Sequence, residues 1–182
     1  MNIFGFANSP GFSEKNAGLR DQRLAIEWLR DNIKSFGGDP ARMVLGGQSA
    51  GSMSVGLYAY AYPNDPIVQA FIMESGQPEM RSGDDGSQWI SAANQTGCRS
   101  DNSAYEFECM QKVNARVLRR TLSPANVNSL SDPAFSNPAV DNITFFGREA
   151  YPALGAAGKF AKLVRSMFPR FSVTATDSSS QP

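Results

Sequence analysis

Residues Gly47-Gln48-Ser49-Ala50-Gly51 place a serine between two glycines, directly after the apolar run Met43–Leu45. A serine hydroxyl in such a setting can attack a carbonyl carbon, provided that the chain exposes it and a base takes its proton. The spacing G-x-S-x-G suits a sharp strand-to-helix reversal. The central residue is forced into a strained conformation, and Gly47 and Gly51 are expected to leave room for the turn and for close packing of helix on strand. Ser49 would then stand above the sheet, with the N-terminal end of the next helix aimed at any oxyanion formed there and the Ala50 N–H as one donor. The same five residues also fit a Gly/Ser-rich turn with no chemistry, but an apolar run before them and a helical pattern after them favour the reactive reading. The base is the difficulty: the sequence contains no histidine. No lysine stands at a spacing that suggests a Ser–Lys pair.

The elements that must hold this turn follow from periodicity. Asn2–Phe6 is short, apolar and aromatic, and reads as a strand entering a loop at Pro10–Gly11. From Asn16 to Phe36 the pattern is helical, with Leu19, Gln22, Ile26, Leu29, Ile33 and Phe36 at alternating steps of three and four. Gly37–Gly38 stop that helix, and Asp39–Pro40 return the chain to an extended path. Met43–Leu45 reads as a strand buried on both faces. A helix after Ser49 ends at Pro63 and Pro66, and Ile67–Gly76 reads as a second buried strand. The order strand, helix, strand, helix, strand predicts an α/β fold with a parallel sheet. Gln88–Gln95 and Tyr105–Leu122 read as helices around a Cys98–Ser103 loop. Pro124–Pro138 reads as irregular, Ala139–Phe146 as a further strand, and the polar end "VTATDSSSQP" as disordered.

Composition narrows the function classes. The chain has 182 residues, 41% of them apolar, which suffices for one hydrophobic core. Its 17 basic and 17 acidic residues balance, so nothing points to a nucleic acid or an anionic membrane surface as partner. No apolar run reaches the roughly 18–20 residues of a membrane span. The start "MNIFGFANSPGF" lacks the basic and apolar regions of a signal peptide. Cys98 and Cys109 fit either one disulfide closing a short loop or two reduced thiols. Neither has CxxC spacing or a histidine partner, so no metal site is indicated and no cofactor is expected.

The stretch "NAGLRDQRLAIEWLRDNIKSFGGDPARMVLGGQSAG" (Asn16–Gly51) closely resembles the signature region of the type-B carboxylesterases, which include cholinesterases and cholinesterase-like lipases. "NIFGF" (Asn2–Phe6) looks like the strand before that region, and "FIMESGQP" (Phe71–Pro78) like the strand after the elbow helix. "CMQKV" (Cys109–Val113) and "NPAVDN" (Asn137–Asn142) sit where the family has a disulfide loop and a stretch leading toward its acid residue. The resemblance implies a partial α/β-hydrolase fold over residues 1–164, with a mostly parallel central sheet and flanking helices, incomplete at both ends, and a disordered tail over 165–182. It implies a serine esterase or lipase acting on a small-molecule carboxylic ester. Ser49 would be the nucleophile, Ala50 an oxyanion-hole donor, Gly47, Gln48 and Gly51 the elbow, Ser75 a supporting residue near the catalytic triad, and Cys98–Cys109 a disulfide. Asp21, Trp28, Arg30, Asp39 and Arg42 of the signature are expected to be structural. Gln48 stands where many members carry Glu, so a preference for cationic substrates does not carry over.

Two supports of the family's chemistry are missing from this sequence. Its order is nucleophile, acid, histidine, and no histidine is present; Asp177, the one acidic residue beyond Glu149, lies in the low-complexity end and is not assigned. The Gly-rich segment giving the remaining oxyanion donors lies upstream of a strand that here starts at Met1. The expectation is therefore that the full-length form hydrolyses esters, that the chain as given is an inactive fragment or truncated product, and that its sheet has unpaired edges and an uncovered apolar face. A different class of reading is a non-catalytic cholinesterase-like binding or adhesion domain. Secretion is implied for full-length relatives that carry the disulfide.

Overall fold

The computed structural model describes residues 2–80, 83–121 and 137–162. Its centre is a parallel pair of strands, β1 (Val44–Gln48) and β2 (Ala70–Glu74), in the register Val44↔Ala70 to Gln48↔Glu74. Between them runs helix α3 (Ala50–Ala61), which packs on both strands and makes a β-α-β crossover. Helix α2 (Ala17–Asn32) precedes the pair, after a single helical turn α1 (Asn2–Gly5). Helices α4 (Ser87–Thr96), α5 (Ser103–Lys112) and α6 (Ala115–Thr121) form a second layer, and α7 (Tyr151–Ala156) follows near the end of the described residues. The fold class is α/β.

Burial explains how the pieces hold together. Ile26 of α2, Val55, Tyr58 and Ala59 of α3, and Val68 and Phe71 close one cluster over the strand pair, with Leu45 and Met73 against it. Leu19, Leu57, Phe145 and Tyr151 form a second cluster. Arg23 of α2 ties the first together by donating to the Tyr58 hydroxyl and to Asp65, with its guanidinium 4.4 Å from the centre of the Tyr62 ring. The far end of α3 is thereby clamped to the loop that leads into β2.

The third cluster belongs to the helical layer: Ile3, Trp89, Ala92, Ala93, Cys98, Met110 and Leu118. A Cys98–Cys109 disulfide staples the α4–α5 loop to α5. Beneath that loop Glu106 of α5 is only 1% exposed, accepting hydrogen bonds from Trp89 Nε1 at 2.6 Å, the Ser100 N–H at 3.0 Å, and Arg99. Burial pushes its carboxyl up, but the Ser100, Arg99 and Trp89 donors outweigh burial and hold it below the ordinary glutamate range.

Several local expectations need correction. Asn2–Phe6 is not a strand: Asn2–Gly5 is helical and Phe6 begins the loop; Ile3 is buried against the helical layer, and one helical turn pairs part of its backbone internally where a lone strand would not. Tyr105–Leu122 is broken into α5 and α6 at Val113–Asn114, with Val113 extended and Leu122 outside the described residues. Ala139–Phe146 is a series of turns: the Asp141 carboxylate accepts from the N–H groups of Ile143, Thr144 and Phe145, and these local bonds replace a strand ladder. β1 is not buried on both faces, since Val44 is 54% exposed. The described sheet has two strands, not three, and its outer edges are unpaired among the described residues. The helix expected to reach Phe36 ends at Asn32 and gives way to a 3-10 turn over Ile33–Phe36; only part of the expected stripe is buried, since Leu29 and Phe36 are exposed, as are Leu24 and Trp28. The expected irregular segment, but for its last two residues, and the expected disordered end lie outside the described residues.

The disulfide and Glu106 generate two expectations. Replacing Cys98 and Cys109 together by serine should lower stability by about 2–3 kcal/mol, through a larger unfolded ensemble, in urea denaturation of the oxidised protein. Glu106 has a lowered folded-state pKa, so the stability it contributes is full above about pH 4.3, its unfolded value, and is lost as pH falls through its folded value. The slope of stability against pH below about pH 4.3 should therefore shrink in Glu106→Gln, which itself should cost about 2 kcal/mol at neutral pH.

Candidate active site

The turn from β1 into α3 is built as the glycine spacing predicts, with one change of detail. Ser49 lies at φ 53, ψ −117, a conformation that side-chain-bearing residues rarely adopt and that costs about 1–3 kcal/mol. Its backbone is held from both sides. The Ser49 N–H donates to the Glu74 carbonyl at 2.8 Å, and its carbonyl accepts from the Met53 N–H at 3.0 Å. A side chain at Gly47 would drive its Cβ to 2.3 Å from the Gly51 carbonyl carbon, so only glycine fits there. Gly51 itself faces open space. The close approach of helix to strand is thus made by the Gly51 backbone against Gly47, and a second tight contact lies at Gly56, whose Cβ would meet Pro78 at 2.6 Å and Met73 of β2 at 3.0 Å.

Around this turn the structure brings together Gly47, Gln48, Ser49, Ala50, Gly51 and Ser75. Ser49 and Gln48 are exposed, and Ala50 is the first residue of the twelve in α3. The amides of that first turn, that of Ala50 among them, have no carbonyl to bond within the helix. The N-terminal partial charge of α3 is added at the same place. Ser75 is exposed at the end of β2 and is itself at φ 57, so two strained serines flank the same corner. Cys98 and Cys109 are not part of this constellation; they lie in the helical layer.

Two residues that sequence reasoning did not single out complete the corner. The Ser52 side chain is fully buried, and its hydroxyl donates to the Gly76 carbonyl at 2.7 Å. Gly76 lies so close that a Cβ there would sit 2.4 Å from the Ser49 carbonyl oxygen. Ser52 therefore staples the first turn of α3 to the segment after β2, and Gly76 lets that segment pass beneath the strained serine. The pairing was visible in sequence only as a second serine one turn into the helix and a glycine after Ser75. Nothing in local spacing connects residues 24 apart. Among the described residues no group of three or more His, Cys, Asp or Glu could hold a metal ion.

Comparison with known proteins agrees with this construction. The Carboxylesterase family model matches residues 1–162. A chlorogenic acid esterase of Aspergillus niger is 46% identical over 166 residues, covering 90% of this chain and 31% of that protein. A secreted lipase, lipase 5 of Gibberella zeae, is 34% identical over 171 residues, covering 88% of this chain and 32% of its own length. An acetylcholinesterase of Bungarus fasciatus is 33% identical over 125 residues, or 65% of this chain and 21% of the snake protein. The chain thus spans about a third or less of the length of these relatives. With a family match over nearly its whole length and a strained serine at the start of α3, the chain belongs to the carboxylesterase family.

Proposed function

We propose that the whole protein hydrolyses carboxylic esters through an acyl-enzyme on Ser49. The observation that carries this reading is the exposed Ser49 at φ 53, at the N-terminal end of α3, in a chain of this family. The Ser49 hydroxyl oxygen adds to the ester carbonyl carbon and loses its proton to a base. The resulting oxyanion takes the Ala50 N–H and the positive end of α3. Collapse expels the alcohol and leaves Ser49 acylated; water then adds, and the carboxylic acid departs. Ser75 is a supporting residue on the strand end beside the nucleophile. The base is not among these 182 residues, which contain no histidine, and by the family's order it would follow the nucleophile downstream. The 182-residue chain by itself is accordingly proposed to be inactive.

The relatives named as an esterase and a lipase support a small-molecule ester as substrate. Gln48, neutral and exposed beside Ser49, gives a cationic alcohol group no charge to pair with. The disulfide supports folding in an oxidising compartment, and the secreted Gibberella relative supports export from the cell. A second reading, a non-catalytic binding or adhesion domain or an inactive truncated product, is favoured by one observation, the absence of histidine.

A fluorophosphonate probe separates the two. It should label Ser49 in the folded whole protein, and Ser49→Ala should abolish labelling and lower ester turnover by about 10⁵–10⁶-fold. Absence of labelling in well-folded whole protein favours the binding domain. Ser52→Ala should act through Ser49: kcat should fall about tenfold with KM little changed, equivalent to about 1.4 kcal/mol in the barrier. A fall in thermal stability with unchanged kcat would instead confine Ser52 to a structural role.

A further inference from the structure

Two tripeptides, Asn94-Gln95-Thr96 and Asn142-Ile143-Thr144, have the form Asn-x-Thr with no proline between, the acceptor pattern for N-linked carbohydrate. They lie in unrelated parts of the fold, yet they are presented alike. Asn94 is exposed in the last turn of α4, and Asn142 is exposed in the turn after Asp141. Neither side-chain amide is hydrogen-bonded by any of the described residues. The threonines point the other way. Thr96 donates its hydroxyl to the Ala92 carbonyl at 2.8 Å, inside the helical layer. Thr144, 3% exposed, donates to Asp141 Oδ2 at 2.7 Å and accepts from Asn16 Nδ2 at 3.0 Å.

The second site is held out by construction. Asn142 is at φ 56, a conformation that asparagine tolerates better than most residues, and its N–H donates to the Phe145 carbonyl at 3.1 Å. Asp141 accepts from three successive amides beyond it, and buried Asn16 locks Asp141 and Ala139 to the start of α2. The turn is rigid, its threonine is inside, and its asparagine amide is outside. Each asparagine also stands beside exposed apolar side chains. Ile90, one turn before Asn94 on the same face of α4, is 41% exposed, while Ile143 and Val140 beside Asn142 are 61% and 44% exposed. A bulky hydrophilic glycan at either position would screen side chains that no described residue covers.

We propose that Asn94 and Asn142 are N-glycosylation sites, a modification that rests on the secretory reading given above. In the transfer, each Asn Nδ2 loses a proton and forms a bond to the anomeric carbon of an oligosaccharide carried on a lipid pyrophosphate, and the lipid pyrophosphate leaves. Because Thr96 and Thr144 are engaged inside the folded protein, transfer precedes closure of α4 and of the Asp141 turn. The disulfide at Cys98, two residues beyond the first tripeptide, marks a lumen of the oxidising kind in which such transfer takes place.

The test is to produce the whole protein in a filamentous fungus and collect it from the medium. Intact mass is measured with and without an N-glycan amidase, and the two asparagine peptides are mapped alongside the Cys98–Cys109 peptide. The peptides that contain Asn94 and Asn142 should both carry an amidase-sensitive glycan in the native protein. Asn94→Gln and Asn142→Gly should each remove the glycan of its own peptide, lowering the intact mass by one glycan each, and the double variant by two; glycine at 142 keeps the positive φ and removes only the acceptor. Thr144→Ser, which preserves both the acceptor pattern and the hydroxyl, should remain modified at Asn142. Unmodified Asn94 and Asn142 in exported, disulfide-linked protein would overturn the proposal and leave the secretory reading intact. One modified site overturns the assignment of the other. Protein recovered only from the cytosol with free thiols would overturn the secretory reading and the glycan sites with it.

Discussion

The backbone of Ser49 is fixed at both ends, by the Glu74 carbonyl on the sheet side and the Met53 N–H on the helix side, and much else near it follows from that restraint. A residue at φ 53 relaxes unless its surroundings over-determine it. Here the surroundings are a parallel strand pair that supplies the Glu74 carbonyl, and a helix whose first turn supplies Met53. Gly47 lets the reversal close, and Gly76 lets the segment after β2 run beneath it. The Ser52 hydroxyl then joins the two sides of the corner. The elements therefore do more than carry Ser49 as a surface side chain; they hold it in a conformation that it would not keep alone.

How much of this was legible in the sequence depended on whether the information was local. The reversal at residues 47–51 could be read because glycine spacing between an apolar run and a helical pattern has a steric meaning at short range. Helices α2, α3 and α4 were legible for the same reason, and so was the stop at Gly37, which lies at φ 81. Ala139–Phe146 was misread because its β-branched and aromatic residues, Val140, Ile143, Thr144, Phe145 and Phe146, are those that favour a strand. The Asp141 side chain, which captures three backbone amides, decided otherwise. Asn2–Phe6 was misread because apolar residues in so short a run fit either period. Its fate was set by the distant helical layer against which Ile3 packs. The Ser52–Gly76 contact could not be read at all, since it joins residues that meet only once the crossover has formed.

The helical layer solves a different problem from the corner. It buries a carboxylate completely and offsets the cost of desolvation with three donors, from Trp89, Ser100 and Arg99. With the disulfide across the same loop, a ten-residue helix is fixed by a covalent bond and a charged network, although its own apolar face is modest. This layer carries none of the residues assigned to ester chemistry. Ile3 of α1 nevertheless packs in its cluster, so loosening the layer removes support from the start of the chain.

The clamp that Arg23 places on the far end of α3 has a mechanical consequence. A helix of twelve residues is a rod about 18 Å long, and this one has Ser49 at one tip and Tyr62 at the other. Arg23 grips the distal tip through Tyr58, Tyr62 and Asp65, while Ser52 grips the proximal one. A rod fastened at two separated points cannot pivot, so a small displacement of the loop at residues 62–67 is transmitted along the axis to Ser49 instead of being absorbed by rotation. Substitutions at Arg23 or Asp65, remote from any ester, would thereby act as alignment errors at Ser49.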